Sequence, residues 1–433
     1  LAITTEGLTL EGPNAGLAGD SDERGDEATI TDANGRLVIE ASDITIDGLN
    51  FEFDESAIQS KSGDDNLITN SRFELTGTTS DTYAIRVGGG SAGTDVINNL
   101  FTDIVANDGV SGDNVNGVVV TDPRDTRVAN NVFSSVDTAV NAGDQDPEAG
   151  TLVVENNEFS DITQFGAVAL VNDDAGLDAD INNNTIKSSR IGIGVFAGDS
   201  SATFSIQDND FQNFANDEVF VDDQAGVLTL DDVLNTQGNT FDRAVTVETS
   251  SGDIIGNRIF GGIQKAVTSA SSGETVVAEP GTYQEDLDID TDVSLISAGS
   301  PDDTEIAVEN DENVEISTAD AVVDGFTINK TASSGSTDST ILFSAPGTLN
   351  NSVVQDSSSG GTGIGVSTPT GEVNIEDNRI NQSDVGIAVD ATNSNDRVSV
   401  DNVTINGTNK AGIDINGVHN SAAVNVTNST LTE

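Results

Sequence analysis

A repeat with a period near 26 residues limits what this chain can become. Each unit shows an apolar residue, a polar turn that usually holds Asn, and then an aromatic or aliphatic residue. The series runs ITNSRF (68–73), VINNLF (96–101), VANNVF (128–133), VENNEF (154–159), INNNTI (181–186), IQDNDF (206–211) and TQGNTF (236–241). Its last residues are 28, 32, 26, 27, 25 and 30 positions apart. Later units end at Ile328, Val354, Ile380, Ile405 and Leu431, with steps of 26, 26, 25 and 26. A fixed period in this range means a solenoid. Short apolar runs such as AIRV (84–87), GVVV (117–120), IGIGVF (191–196), RAVTV (243–247) and GIGV (363–366) lie between the turns and read as strands. Long helices are contradicted by the alternation and by 44 glycines. A unit of about 25 residues holding three strands and three turns closes one coil, and coils stack at about 4.8 Å. Asn at one point of successive turns predicts a hydrogen-bonded amide ladder. Phe at the next inward position predicts a stack in the core.

The stretch Phe260 to Gly299 breaks this rhythm and explains it. Ile263, Ala266, Val267 and Ala270 fall on one face at helical spacing and Gly273 stops the helix. The run TVVAEPGTY (275–283) follows, then Leu287 with Ile289 and Val293 with Leu295 alternate as strands do. This segment resembles the opening of right-handed parallel β-helix proteins of the pectate-lyase-like type, the carbohydrate-binding and sugar-hydrolase β-helix group. The resemblance implies an all-β fold of two tandem right-handed solenoids, residues 1–258 and 259–433, the second opened by a capping helix at 261–272. Leu1 and Ile3 match Leu287 and Ile289 without a helix before them, so the first solenoid is expected to start without such a lid. Either about one coil of sequence precedes Leu1 or something else covers that end.

Charge narrows the partners. Sixteen Lys and Arg face 74 Asp and Glu, a formal net charge of −58, which makes nucleic acid and anionic membranes poor partners. Residues 1–258 carry 47 acidic and 11 basic residues, the rest 27 and 5, so the acidity coats the whole chain. Such a coat with few lysines fits molar salt, where the Debye length is about 3 Å. We therefore expect a halophilic, haloarchaeal protein; ordinary solubility is the plainer explanation. Cys and Met are absent, so there is no disulfide or thiolate metal site. No apolar run approaches the length of a membrane span.

Candidate chemistry is sparse. Enzymes of the group that this chain resembles hold Ca²⁺ on clustered Asp with an Arg or Lys base, or use paired Asp with His nearby. Here the one histidine, His419, reads as a turn residue. Arg124 with Arg127, and Lys187 with Arg190, are not matched to an Asp cluster one coil away; Arg72 and Arg86 could meet on adjacent strands. Asp173 with Asp174 is a pair expected by chance among so many acids, whereas Asp222, Asp223, Asp231 and Asp232 bracket one turn and form a weak Ca²⁺ or Mg²⁺ candidate. Three insertions, at 13–35, 107–127 and 144–150, read as long solvated turns with binding as the alternative. Asn-X-Ser/Thr sequons occur at Asn183, Asn329, Asn350, Asn381, Asn402, Asn406, Asn425 and Asn428. Of these, Asn406 and Asn428 are placed in turns and Asn402 in a strand.

The functional expectation is a structural extracellular protein, a filament, stalk or surface-layer subunit that self-associates through its coil ends. The alternatives are a carbohydrate-binding or polysaccharide-degrading β-helix protein and a viral receptor-binding spike.

Overall fold

The structure is a computed structural model. It describes residues 1–433 except 33–35, 78–81, 107–114, 145–149, 173–176, 198–202, 214–216, 224–229, 231–232, 234–236, 257, 310–312, 332–338, 357–360, 368–370, 392, 394, 417–418, 420 and 433. Nearly every element is a short strand paired in parallel with the strand one repeat away, so the chain is a parallel β-solenoid. It divides into two compact units, Leu1–Phe241 with Asn257–Ile259, and Asp242–Gly256 with Phe260–Glu433.

In the first unit one face is an eight-stranded parallel sheet running from Thr9–Glu11 to Thr203–Gln207. After each of these strands the chain turns a corner. From the second of these strands on, the corner residue is left-handed: Gly48 (φ +71°), Asn70 (+52°), Asn98 (+58°), Asn130 (+54°), Asn156 (+54°), Asn183 (+53°) and Asp208 (+53°), with Gly238 (+73°) at the same place of the next repeat. Asn, Asp and Gly are the residues for which this conformation costs least, which is why the repeat is written with them.

The next residue points inward and makes the expected ladder. Asn99, Asn131, Asn157, Asn184 and Asn209 are buried, and each sends its backbone N–H and its Nδ2 to the Oδ1 of the asparagine one coil on, at 2.9–3.1 Å. Each Nδ2 also donates to a carbonyl of the preceding coil, as Asn157 does to Val128 at 2.9 Å. Buried amides are thereby satisfied where the strands stop supplying partners. Two positions later the rings of Phe51, Phe73, Phe101, Phe133 and Phe159 stack at 4.5–5.0 Å between centroids; Ile186 interrupts the column.

The insertion after Glu11 is docked, not a free solvated turn. The Arg24 side chain is only 2% exposed; its Nε and Nη2 meet the Glu27 carboxylate at 2.8 Å each, and Nη1 donates to Leu17 O at 2.9 Å and to Asn70 O. Gly19 N–H donates to Asn98 O at 2.8 Å, and Arg72 Nε donates to Gly19 O at 2.6 Å. The segment therefore covers two corners, and the Arg24 guanidinium holds the Glu27 carboxyl below its ordinary range. Of the insertion at 107–127, residues 107–114 lie outside the described residues, and Val115–Thr121 is a largely buried solenoid strand, not a solvated turn; of 144–150, residues 145–149 lie outside them.

The second unit has three strands per coil: a seven-stranded stack from Gly281–Gln284 to Thr430–Thr432, a six-stranded stack from Leu287–Ile289 to Ala411–Asn416, and a third from Thr275–Ala278 to Ala423–Thr427. Its helix spans Ile263–Ser269, shorter than the expected 261–272. Gly262 is its N-cap, and the N–H groups of Ile263 and Gln264 are taken by the Glu285 carboxylate at 2.6 and 2.9 Å. Ile263, Ala266 and Val267 are buried against the strands of the first coil. The run at 243–247 behaves differently from a solenoid strand. Val245–Glu248 pairs antiparallel with Thr275–Ala278 and so belongs to the opening of the second unit. The Tyr283 hydroxyl, fully buried, lies 3.0 Å from Ala244 O and 2.8 Å from Glu279 O. Among the described residues no helix is long and apolar enough to cross a membrane.

Candidate functional site

The longest strands lie on one face of the first unit: Val132–Asp144 and Glu158–Asn172, with Thr82–Gly90, Val115–Thr121 and Ile191–Ala197 beside them. Parallel in-register pairing lines up their outward residues. One row reads Gln59, Arg86, Val119, Asn141, Ala169 and Gly194; the next includes Gly143, Val171 and Phe196.

Small residues in the first row leave room for a groove of about 330 Å³, lined by Asn141, Phe165, Ala169, Val171 and Phe196. The Phe196 ring lies over Gly194, where an added Cβ would sit 2.8 Å from Phe196 Cε2. Phe165 is 44% exposed and precedes Gly166, whose φ of +134° bends the strand at that point. The amide nitrogen of Asn141 donates to Asn116 Oδ1 at 3.2 Å. None of the five lining residues carries a charge, in a chain whose net charge is −58.

Two coils along the same row Arg86 stands 5.9 Å above the Tyr83 ring, and its buried Nε has no hydrogen-bond partner among the described residues. Tyr83 in turn accepts a hydrogen bond from Arg36. On the strand that carries Phe165, Thr163 donates to Asp137, which also accepts the Ala106 N–H at 2.8 Å. This groove was not read from the sequence. Its signal was present in IGIGVF, where Gly194 precedes Phe196, but only the register brings Asn141 and Val171 beside them.

The residues singled out in the sequence fall elsewhere. Arg72 and Arg86 belong to different strand stacks and are not brought together, because each strand pairs with its equivalent one coil away. Arg127 is paired with Glu155 at 2.6 Å, and Lys187 with Glu158 at 3.0 Å. His419 is a turn residue: its N–H donates to Ala391 O at 2.8 Å and its Nδ1 accepts the Ser421 N–H at 3.3 Å. Asp231 and Asp232 lie outside the described residues, as do Asp173, Asp174 and the side chains of Asp222 and Asp223. Among the described residues no cluster of three or more His, Asp or Glu could hold a metal ion.

The sequon asparagines separate into two kinds. Asn183, Asn402 and Asn428 are exposed left-handed corner residues, with φ of +53°, +51° and +51°. Asn329, Asn350, Asn381, Asn406 and Asn425 lie in strands. The placement of Asn402 in a strand and Asn406 in a turn is thus reversed, because the corner falls at residue 402 and the strand Thr404–Asn406 follows it.

No protein-family model and no curated protein matches the chain. Solved structures similar to it include the A-module of the mannuronan C-5 epimerase AlgE6 of Azotobacter vinelandii (11% identity, 92% of this chain and 91% of that one, TM-score 0.23). The PL6 family alginate lyase AlyGC aligns at 12% identity over 93% of this chain and 92% of that one, TM-score 0.25. The catalytic domain of a GH87 alpha-1,3-glucanase in complex with tetrasaccharides aligns at 12% identity over 95% and 70%, TM-score 0.30. These chains are β-helix proteins, and at such identities and scores the likeness carries no argument about activity.

Proposed function

We propose that this chain is an extracellular carbohydrate-binding β-solenoid and that the groove of the first unit is its binding site. The observation that carries the reading is the pair of aromatic side chains, Phe165 and Phe196, lining an uncharged groove together with the Asn141 amide. A concave apolar surface with a few placed polar groups is the usual form of a small-ligand site. A pyranose presents an apolar C–H face to an aromatic ring and hydroxyls to an amide, so the lining matches its two kinds of surface. The test is titration of the full chain with neutral oligosaccharides in molar salt, alongside F165A and F196A. Saturable binding that either substitution removes supports the reading. Binding that survives both, or no binding by any neutral oligosaccharide, sinks it.

A second reading is a structural subunit of a halophile's surface that self-associates through its coils. It is supported by the acidic coat, 74 Asp and Glu against 16 Lys and Arg, which fits a surface kept in molar salt. Electron microscopy in molar salt distinguishes the two: filaments favour this reading, and isolated particles remove it.

A further inference from the structure

We propose that the corner asparagines Asn183, Asn402 and Asn428 are the N-glycosylation acceptors of this chain, and that the five strand sequons stay unmodified in the folded protein. The fold makes the distinction. Asn402 and Asn428 occupy the same corner in consecutive coils of the second unit, with Asn402 N–H bonded to Thr427 O at 3.2 Å. Asn183 occupies the equivalent corner of the first unit. All three are exposed on the convex outside of a bend, and their amides touch only side chains that are not buried: Asn183 meets Asn182, Asn402 meets Asp377 at 2.6 Å, and Asn428 meets Asp401 at 2.8 Å.

The strand sequons are held otherwise. Asn329, Gln355, Asn381 and Asn406 form one outward column in register. Within it Asn406 donates to Asn381 Oδ1 at 3.2 Å, while Asn329 donates to Glu305 at 2.9 Å. Asn350 donates to Asp324 at 3.1 Å and is half-buried. Asn425 is exposed, but its backbone is fixed in the ladder with Ser399. Each of these residues sits on a sheet face beside neighbours about 4.8 Å away, where a transferase must reach between packed side chains.

The fold requires a left-handed residue at the corner but sets no demand for a hydroxyl two positions on. Corners at Asn70, Asn98, Asn130, Asn156 and Asn351 are followed there by Arg72, Leu100, Val132, Glu158 and Val353. Glycine corners such as Gly238 and Gly325 also have a threonine there (Thr240, Thr327), but of these asparagine corners only Asn183, Asn402 and Asn428 do (Thr185, Thr404, Thr430), completing the acceptor motif. In the reaction the Asn amide nitrogen bonds to the anomeric carbon of a lipid-linked phosphoryl sugar. The sugar–oxygen bond to phosphate breaks, and the amide proton leaves with the phosphate.

The test is transfer in vitro, which does not depend on where the protein resides. The folded full chain, the denatured chain, and peptides spanning 181–187, 400–406 and 426–432 are each given an oligosaccharyltransferase and its lipid-linked donor. Sites are then mapped by peptide mass spectrometry. The expected result is modification of the folded chain at Asn183, Asn402 and Asn428, with strand sites modified only after denaturation. N402Q and N428Q should each remove one site while T404V removes the Asn402 site with its asparagine intact. Modification of strand asparagines in the folded chain at rates equal to the corners overturns the proposal. So does failure at the corners while the denatured chain is modified there, or failure of the peptides.

Discussion

The Oδ1 of Asn157 accepts two hydrogen bonds from Asn131, one from the backbone N–H at 2.9 Å and one from Nδ2 at 3.0 Å. The same pair of bonds recurs at each step from Asn99 to Asn239, so the ladder is a run of identical donors and acceptors in which each backbone N–H finds its acceptor on the next asparagine. In N157A the two Asn131 donors lose their acceptor inside the core. Each buried donor left unpaired costs about 1–3 kcal/mol, so the urea midpoint should fall clearly. A midpoint unchanged within error would show that water replaces the amide.

Phe101 lies 4.9 Å from Phe73 and 4.5 Å from Phe133. F101A should open a cavity in the column and cost about 3–5 kcal/mol. F101I should cost less, since Ile186 already occupies the equivalent place beside Phe159. Denaturant unfolding of both variants checks the order.

The corner conformation gives a sharper contrast. N130V puts a β-branched residue at φ +54° and should cost about 1–3 kcal/mol. N130G should be near neutral, because Gly48 and Gly238 adopt the same kind of φ. Equal losses in the two variants would show that the Asn130 side chain, not its backbone, matters.

Burial raises the Glu285 carboxyl above its ordinary 4.5, and the N–H groups of Gln264 and Ile263 offset this only in part. The folded state therefore binds the proton more tightly than the unfolded chain. This contribution to stability is largest below the ordinary value and is lost as pH rises from there through the raised folded value. With so many other acids, the difference between the parent chain and E285Q is the useful quantity. The parent's advantage over E285Q should shrink with rising pH across that window; an advantage that grows would reverse the sign and refute the assignment.

The net charge of −58 predicts a steep dependence on salt. Raising sodium chloride from about 0.1 M to about 2 M shortens the Debye length well below 10 Å and should raise Tm progressively. A Tm that is flat over this range would remove the argument for adaptation to brine.

The groove of the first unit shows why part of the site is illegible in the sequence. Phe165 and Phe196 are 31 positions apart and Asn141 is 24 before Phe165. They meet because the intervening coils have particular lengths and the pairing of Asn141 with Ala169 and of Val171 with Phe196 fixes the register. One residue more in a turn would send each side chain to the opposite face. The docking of the insertion after Glu11 is illegible for a related reason. Arg24 is one basic residue among many acids, and nothing local shows that its guanidinium reaches Asn70 O across 46 positions.

What the sequence determined by itself was the coil. Its period, the left-handed Asn, the buried Asn after it and the Phe two positions later are each set by local backbone preference and by alternation. Those requirements repeat in every unit and can be read from any one of them. Only the tertiary structure decided which coils lie against which outward residues, that Val245–Glu248 runs antiparallel to Thr275–Ala278, and which sequons are on corners. These depend on the summed lengths of loops between coils and on packing at the opening of the second unit. Hydrogen-bonded pairing converts those lengths into register, and no single segment contains that information.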